Sequence, residues 1–296
     1  MIEPRRIDPS SPGWPERLDH LESPPAGLWQ LGSVGPTQPC VAIVGSRRAT
    51  IGGVEIASSI ARDLAAAGIQ VVSGMALGID GAAHDGALEA GGSTVAVLGC
   101  GIDICYPPRH ADLRRRIIAA GSLITEEPAG TPPFKYNFPK RNRIIAALAQ
   151  AVVVVEATER SGALSTARWA ADLGREVLAV PGSIRARQSS GTNLLIRDGV
   201  RPFLSLGDLL DAVPELQNAV PQTTLDFVQA GPGGGLARFS PPLREILARM
   251  GTQPVHPDQV GTALGLSPAL VASRLGALEL AGAVMSLPGG LVARTV

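Results

Sequence analysis

The chain has 296 residues, 45% of them hydrophobic and 3% aromatic, with 26 basic residues balanced by 26 acidic ones. That is apolar material for one large domain, or a large one with a small appendage, and zero net charge means that any attraction to nucleic acid or membrane has to be local. The start, Met1 to Arg6, is too polar and proline-rich for a signal peptide, and no apolar run reaches the length of a membrane span, so the expected location is cytoplasmic, without membrane association.

Residues 1–39 carry eight prolines and little periodicity, which predicts an irregular arm, pinned to a core by Trp14, Leu18, Leu21, Leu28, Trp29 and Leu31. From 40 to 213 short apolar runs alternate with helical patterns. Strands are expected at Cys40–Val44, Ile69–Ser73, Thr94–Leu98, Leu123–Thr125, Val152–Glu156 and Glu176–Val180, and helices at Gly52–Ala67, Gly81–Ala90, Ala111–Ala120, Arg143–Ala149, Leu164–Leu173, Asn193–Asp198 and Leu206–Ala212. Continuous Val/Ile strands between helices indicate a doubly wound α/β domain with a mainly parallel sheet. Residues 214–240, rich in Pro, Gly and Gln, read as a flexible linker. Beyond it, helical patterns at Leu243–Arg249, Pro257–Leu264 and Pro268–Ala281 and a hairpin over Val284–Ala293 describe a winged-helix module at 241–296. That module is close to neutral, which favours protein contact at least as much as DNA reading.

In a doubly wound sheet the ligand sits beyond the carboxyl ends of the strands, and there the sequence places its Gly, Ser, Arg and Asn residues. Gly45-Ser46-Arg47-Arg48 lies between the first strand and its helix, where free backbone N–H groups and the helix dipole favour an anion and arginine adds a phosphate grip. The same residues also suit a plain tight turn. The turn is neither a G-x-G-x-x-G fingerprint nor a Walker A loop, which argues against NAD and ATP as cofactors. Ser161-Gly162 opens a later helix; Ser161 lacks a nucleophile elbow and a base, so a helix cap or second phosphate contact is the better reading. Asp80 and His84 fit a helix cap and a local hydrogen bond better than a metal site. Cys40, Cys100 and Cys105, an odd set in apolar surroundings, read as reduced thiols.

The most informative stretch is Phe134-Lys135-Tyr136-Asn137-Phe138-Pro139-Lys140-Arg141-Asn142-Arg143. It holds both lysines of the chain and three of its ten aromatics. Cations interleaved with rings suit single-stranded nucleic acid, whose phosphates need charge and whose unpaired bases need flat apolar faces. The competing reading makes the rings core plugs and the cations a solvated rim. Residues 103–145 carry eight basic against four acidic residues, a local excess of +4.

Seven segments in order, Val41 to Arg47, Ser73 to Asp80 with Ala83-His84, Ala96 to Gly101, Phe138 to Ile145, Val154 to Ala157, Ser161-Gly162 with Thr166-Ala167-Arg168, and Gly191-Thr192-Asn193, resemble the DNA-processing protein A (DprA/Smf) family. The resemblance covers residues 14–213, and the C-terminal module is similar to the winged helix of many members. It implies an extended Rossmann-like fold and a non-enzymatic homodimer that binds single-stranded DNA, protects incoming strands in natural transformation and helps load the RecA recombinase, with no cofactor. By motif position the single-strand pocket would include Arg47, Lys135 and Phe138, next to Lys140, Arg141, Asn142 and Arg143. Two departures stand out: Leu77 occupies a position where many members carry arginine, and residues 1–39 are too few for the helical SAM-like domain that many carry. The rival class is enzymatic, the nucleotide phosphoribohydrolases of the lysine-decarboxylase-like family. Their Pro-Gly-Gly-x-Gly-Thr loop with its following glutamate has no match at Ser161 to Arg168.

Overall fold

The computed structural model describes residues 3–36, 39–218, 220, 241–250, 254–280, 283–287 and 290–294. They fall into two compact units, Met1–Pro221 and Gln222–Val296.

The first unit runs β1 (Arg5–Ile7), β2 (Leu28–Gly32), β3 (Cys40–Val44), α1 (Ile51–Ala66), β4 (Gln70–Ser73), α2 (Ile79–Glu89), β5 (Thr94–Val97), α3 (Ala111–Ala120), β6 (Ser122–Thr125), α4 (Asn137–Leu148), β7 (Ala151–Val154), α5 (Ala163–Asp172), β8 (Glu176–Ala179), α6 (Ser190–Arg197), β9 (Arg201–Pro202), α7 (Leu206–Ala212) and α8 (Pro214–Gln217). Its nine-stranded sheet has the order β1-β2-β6-β5-β4-β3-β7-β8-β9. Strands β3 to β9 are parallel. Every residue of β3, β4, β5, β6 and β7 is buried, as expected of strands covered on both faces. On one face Ala42, Val44, Val72, Val95, Val97, Val152 and Val154 share a core with Ile144 to Leu148 of α4 and the following Ala149. The intervening Val41, Ile43 and Val71 are equally buried, and α1 and α2 pack on each other and on this part of the sheet.

From β3 the chain winds outward through β4, β5 and β6, then returns to lay β7, β8 and β9 on the other side. The topological switch therefore lies between β3 and β7, and a crevice opens where loops leave in opposite directions.

Two readings of the sequence need correction. The N-terminal segment, expected as an irregular arm, carries two strands of the sheet: β2 pairs antiparallel with β6, and β1 pairs antiparallel with β2. Both are short, and the surrounding prolines mask their alternation, but Leu28 is buried and the sheet edge supplies the partners. Trp14, Leu18, Leu21 and Leu28 do sit in the main core. The stretch read as linker begins instead as α8, with Leu216 and Val220 buried; Pro214 at the first helical turn is compatible with helix because its missing N–H has no intrahelical partner there. Residues 219 and 221–240, the remainder of that stretch, lie outside the described residues.

The second unit consists of α9 (Pro241–Met250), α10 (Pro257–Leu264), α11 (Pro268–Leu280), β10 (Val284–Leu287) and β11 (Leu291–Arg294). Ile246, Leu247, Val260, Val271, Leu275, Leu278 and Val284 form its core. Gly265 ends α10 in the left-handed region at φ 63°, which makes the tight turn into α11 sterically cheap. Three helices followed by an antiparallel hairpin make the winged helix.

Candidate nucleic-acid interface

An open cleft of about 790 Å³ lies at the carboxyl ends of the strands. The loop after β3 supplies Gly45, Ser46, Arg47 and Arg48, the loop after β7 supplies Thr158, Ser161 and Gly162, and the segment around the start of α4 supplies Lys135, Phe138, Arg141 and Asn142. Ten of the twelve residues singled out in the sequence thus meet in one cleft at the switch point, and Lys140 and Arg143 do not line it.

The reason for that split is helical. The decapeptide is not a loop throughout: α4 begins at Asn137, and Pro139 falls in its first turn, where N–H groups have no intrahelical acceptor in any case. Phe138, Arg141, Asn142 and Ile145 are spaced i, i+3, i+4 and i+7, one helical face, and all four line the cleft. Lys140 and Arg143 are three apart on another face. There Arg143 donates from Nη2 to both Glu126 oxygens at 2.8 and 2.7 Å. The Lys140 ammonium lies 3.3 Å from Glu126 and from Glu127. Although partial desolvation opposes it, these two carboxylates hold the Lys140 pKa above its ordinary value.

Phe138 is half-buried and already has company. The Arg47 guanidinium sits 4.9 Å from its ring centroid and that of Arg141 6.0 Å, while Tyr106 tilts against it at 5.5 Å. It is neither a core plug nor a bare platform, because one face carries a cation that a base would have to displace.

Arg141 is a buried strut. It donates from Nη1 to the carbonyls of Gly74 (2.8 Å) and Val97, and burial lowers its pKa to about 10 against the pull of Asp80. A Cβ on Gly74 would lie 2.5 Å from Arg141 Nη2, so the guanidinium needs glycine at that point. Asp80 does not cap its own helix. It accepts from the backbone N–H of Gly74 (3.2 Å) and Ala76 (3.3 Å), holding the loop in which Met75 takes φ 58°. Burial raises the Asp80 pKa, opposed by Arg141, the two N–H groups and Arg47. His84, fully buried, contacts Thr94 Oγ1 at 2.7 Å through Nδ1. Since that hydroxyl donates to Val71 O, Nδ1 carries the proton. Burial, with His110 and Arg141 nearby, lowers its pKa to about 3.

The anion site expected at the start of α1 is partly occupied by the protein itself. Thr50 Oγ1 caps Gly53 N at 3.0 Å, and the Glu156 carboxylate accepts from Thr50 N (3.0 Å) and Thr50 Oγ1 (2.5 Å). A carboxylate on a helix N-terminus does what an incoming phosphate would. The charge this loop leaves open to solvent is that of the exposed Arg47 and Arg48, while Ser46 Oγ is engaged by Arg48 N at 3.1 Å. Ser161 sits one residue before the N-cap and accepts from Ala163 N at 3.3 Å.

Among the lining residues that sequence reasoning missed are Tyr106, Thr158, Arg187 and Gln188. Arg187 is exposed on the far wall, and Gln188 Nε2 bonds the Arg48 carbonyl at 2.6 Å, joining that wall to the β3 loop. No local signal marks them, since they arrive from a turn between β8 and α6. Leu77 is 36% exposed and lines a small apolar recess of about 80 Å³ behind Phe138. Cys100 and Cys105 are free thiols, and burial pushes the Cys100 thiol up to about 11. Among the described residues no group of His, Cys, Asp and Glu is placed to hold a metal, and no helix is long and apolar enough to cross a membrane.

A doubly wound α/β unit with a cationic, ring-bearing cleft at its switch point, joined in sequence to a winged helix, defines a Rossmann-like protein with a winged-helix appendage. The family model for DNA recombination-mediator protein A matches residues 5–214, and that for the DprA winged helix domain matches residues 235–290. The chain belongs to the DprA/Smf family. It is 36% identical to protein Smf of Synechocystis over 97% of this chain and 79% of that one. The solved structure of DprA from Streptococcus pneumoniae superposes with a TM-score of 0.68 at 36% identity, covering 71% of this chain and 74% of that one. A Helicobacter pylori DprA structure, described for its single-stranded DNA binding mode, gives 0.66 at 28% identity, covering 74% of this chain and 98% of that one.

Proposed function

We propose that the protein binds single-stranded DNA in the switch-point cleft, with little sequence preference and without catalysing a reaction on it. The observation that carries this reading is the pairing of a ring with uncommitted charge. Phe138 faces a cleft whose exposed cations Arg47, Arg48, Lys135 and Arg187 form no ion pair among the described residues. Phosphates meet the cations and an unpaired base meets the ring. The single-strand binding described for the Helicobacter pylori relative supports it. As a member of this family the protein would protect incoming strands in natural transformation and deliver them to RecA as a homodimer in the cytoplasm. The enzymatic alternative is less well supported, because Glu156, the buried acid two residues beyond β7, is tied to Thr50. The winged helix suits protein contact: the exposed positions of α11 include Ala269, Leu270, Ala272, Ser273 and Glu279, a surface with little positive charge.

A gel-shift comparison of single- and double-stranded DNA tests the reading. About four phosphate contacts predict a log–log salt slope near −3 on single strands, with weaker binding to duplex. Equal affinity for duplex, or none for either, would sink it.

A further inference from the structure

Phe134 and Tyr136 stack on each other with ring centroids 5.4 Å apart and planes 8° from parallel, and both are exposed, at 44% and 69%. Together with Tyr106 they are the exposed aromatic residues among those described, and Tyr106 and Lys135 both line the cleft. Rings left in water in an aromatic-poor protein contribute little to the fold, since their apolar faces stay unburied. The segment is nonetheless held in shape before anything binds. Pro132 and Pro133 precede it, Phe134 N donates to Pro132 O at 2.8 Å, and Asn137 N donates to Phe134 O at 3.1 Å.

We propose that this ring pair is a second stacking tier, a subsite for an unpaired base of the same strand whose neighbouring nucleotides occupy the cleft. The proposal rests on the single-strand reading of the cleft and adds an outer subsite to it. Its occupant follows from what stands between the rings. Lys135 is exposed, reaches into the cleft, and has no ion-pair partner among the described residues. A phosphate on Lys135 places its flanking base next to the rings. Two rings already parallel present an outer face on which a base continues the stack. The inner ring, Phe138, carries Arg47 on one face and Tyr106 tilted against it, whereas the outer pair is more exposed than either inner ring.

The test is the dependence of affinity on oligonucleotide length, read by fluorescence anisotropy with labelled oligo-dT, for the wild type and for Phe134→Ala/Tyr136→Ala. The double variant should lose about 5- to 150-fold in affinity for long oligonucleotides, the range for one stacked base. It should match the wild type on oligonucleotides too short to leave the cleft, with an unchanged salt slope because Lys135 remains. Abasic residues at the outer positions should weaken the wild type by the same factor and leave the variant unaffected. Phe134→Trp/Tyr136→Trp should restore length dependence, which separates stacking from damage to the turn. Equal affinities for wild type and variant at every length would overturn the tier while leaving the cleft reading intact. Loss of a dimer in light scattering with DNA affinity unchanged would assign the rings to a second copy of the chain and overturn it as well. Absence of wild-type binding to any oligonucleotide would overturn the cleft reading and the tier with it.

Discussion

The two ends of the segment 134–143 are alike in composition and opposite in fate. Lys135 stands in solvent at the cleft with exposed rings on either side of it in sequence, whereas Lys140 and Arg143 face Glu126 and Glu127, and Arg141 is buried in the cleft floor. The difference comes from the start of α4 at Asn137. Before it, residues project from a turn; after it, each successive residue rotates by about 100°, so four consecutive polar residues cannot all face one ligand. A basic cluster in a sequence is therefore not a basic surface until its carboxylate partners and helical phase are known.

The largest expected effect belongs to the buried end. Arg141→Ala should cost about 3–5 kcal/mol in stability, because it leaves two buried carbonyls without their donor and removes the larger of the two positive charges acting on buried Asp80. Denaturant unfolding would register it. A stable variant defective only in DNA binding would return Arg141 to the ligand.

Acid should act on a different buried group, His84 of α2. His84 titrates near 6.5 when unfolded and near 3 when folded, so between these values the unfolded chain binds a proton that the folded one refuses. The His84 contribution is intact above pH 6.5 and is lost as pH falls toward 3, amounting to several kcal/mol. Urea midpoints at pH 7.5 and 4.5 should show this difference, and His84→Gln should shrink it.

Phe138→Ala should cost about 1–3 kcal/mol in single-strand affinity and less stability than the about 3–5 kcal/mol typical of a fully buried ring. Unaltered affinity would mean that Arg47 stays on the ring and that no base stacks there.

Much of this was readable in the chain. Uninterrupted Val/Ile runs such as Val152 to Val155 announce buried parallel strands, and glycine- and serine-rich strand ends announce the cleft. What stayed hidden depended on partners distant in sequence. Glu126 and Glu127 neutralise Lys140 and Arg143 from another loop, and Glu156 reaches across to the α1 N-terminus. Arg187 enters the far wall from a turn with no motif of its own. The helix expected from Arg143 begins at Asn137 instead, because Pro139 is tolerated in a first helical turn.

The sharpest contrast is between the two lysines, which share a side chain, a segment and a formal charge. Salt titrations of single-strand binding for Lys135→Ala and Lys140→Ala compare them directly. Lys135→Ala should make the log–log slope shallower by about 0.7, the loss of one phosphate contact. Lys140→Ala should leave the slope unchanged and cost less than about 1 kcal/mol in stability, as expected of an exposed ion pair. Equal flattening by both substitutions, or flattening by Lys140→Ala alone, would contradict the division of the segment into an open end that binds and a paired end that does not.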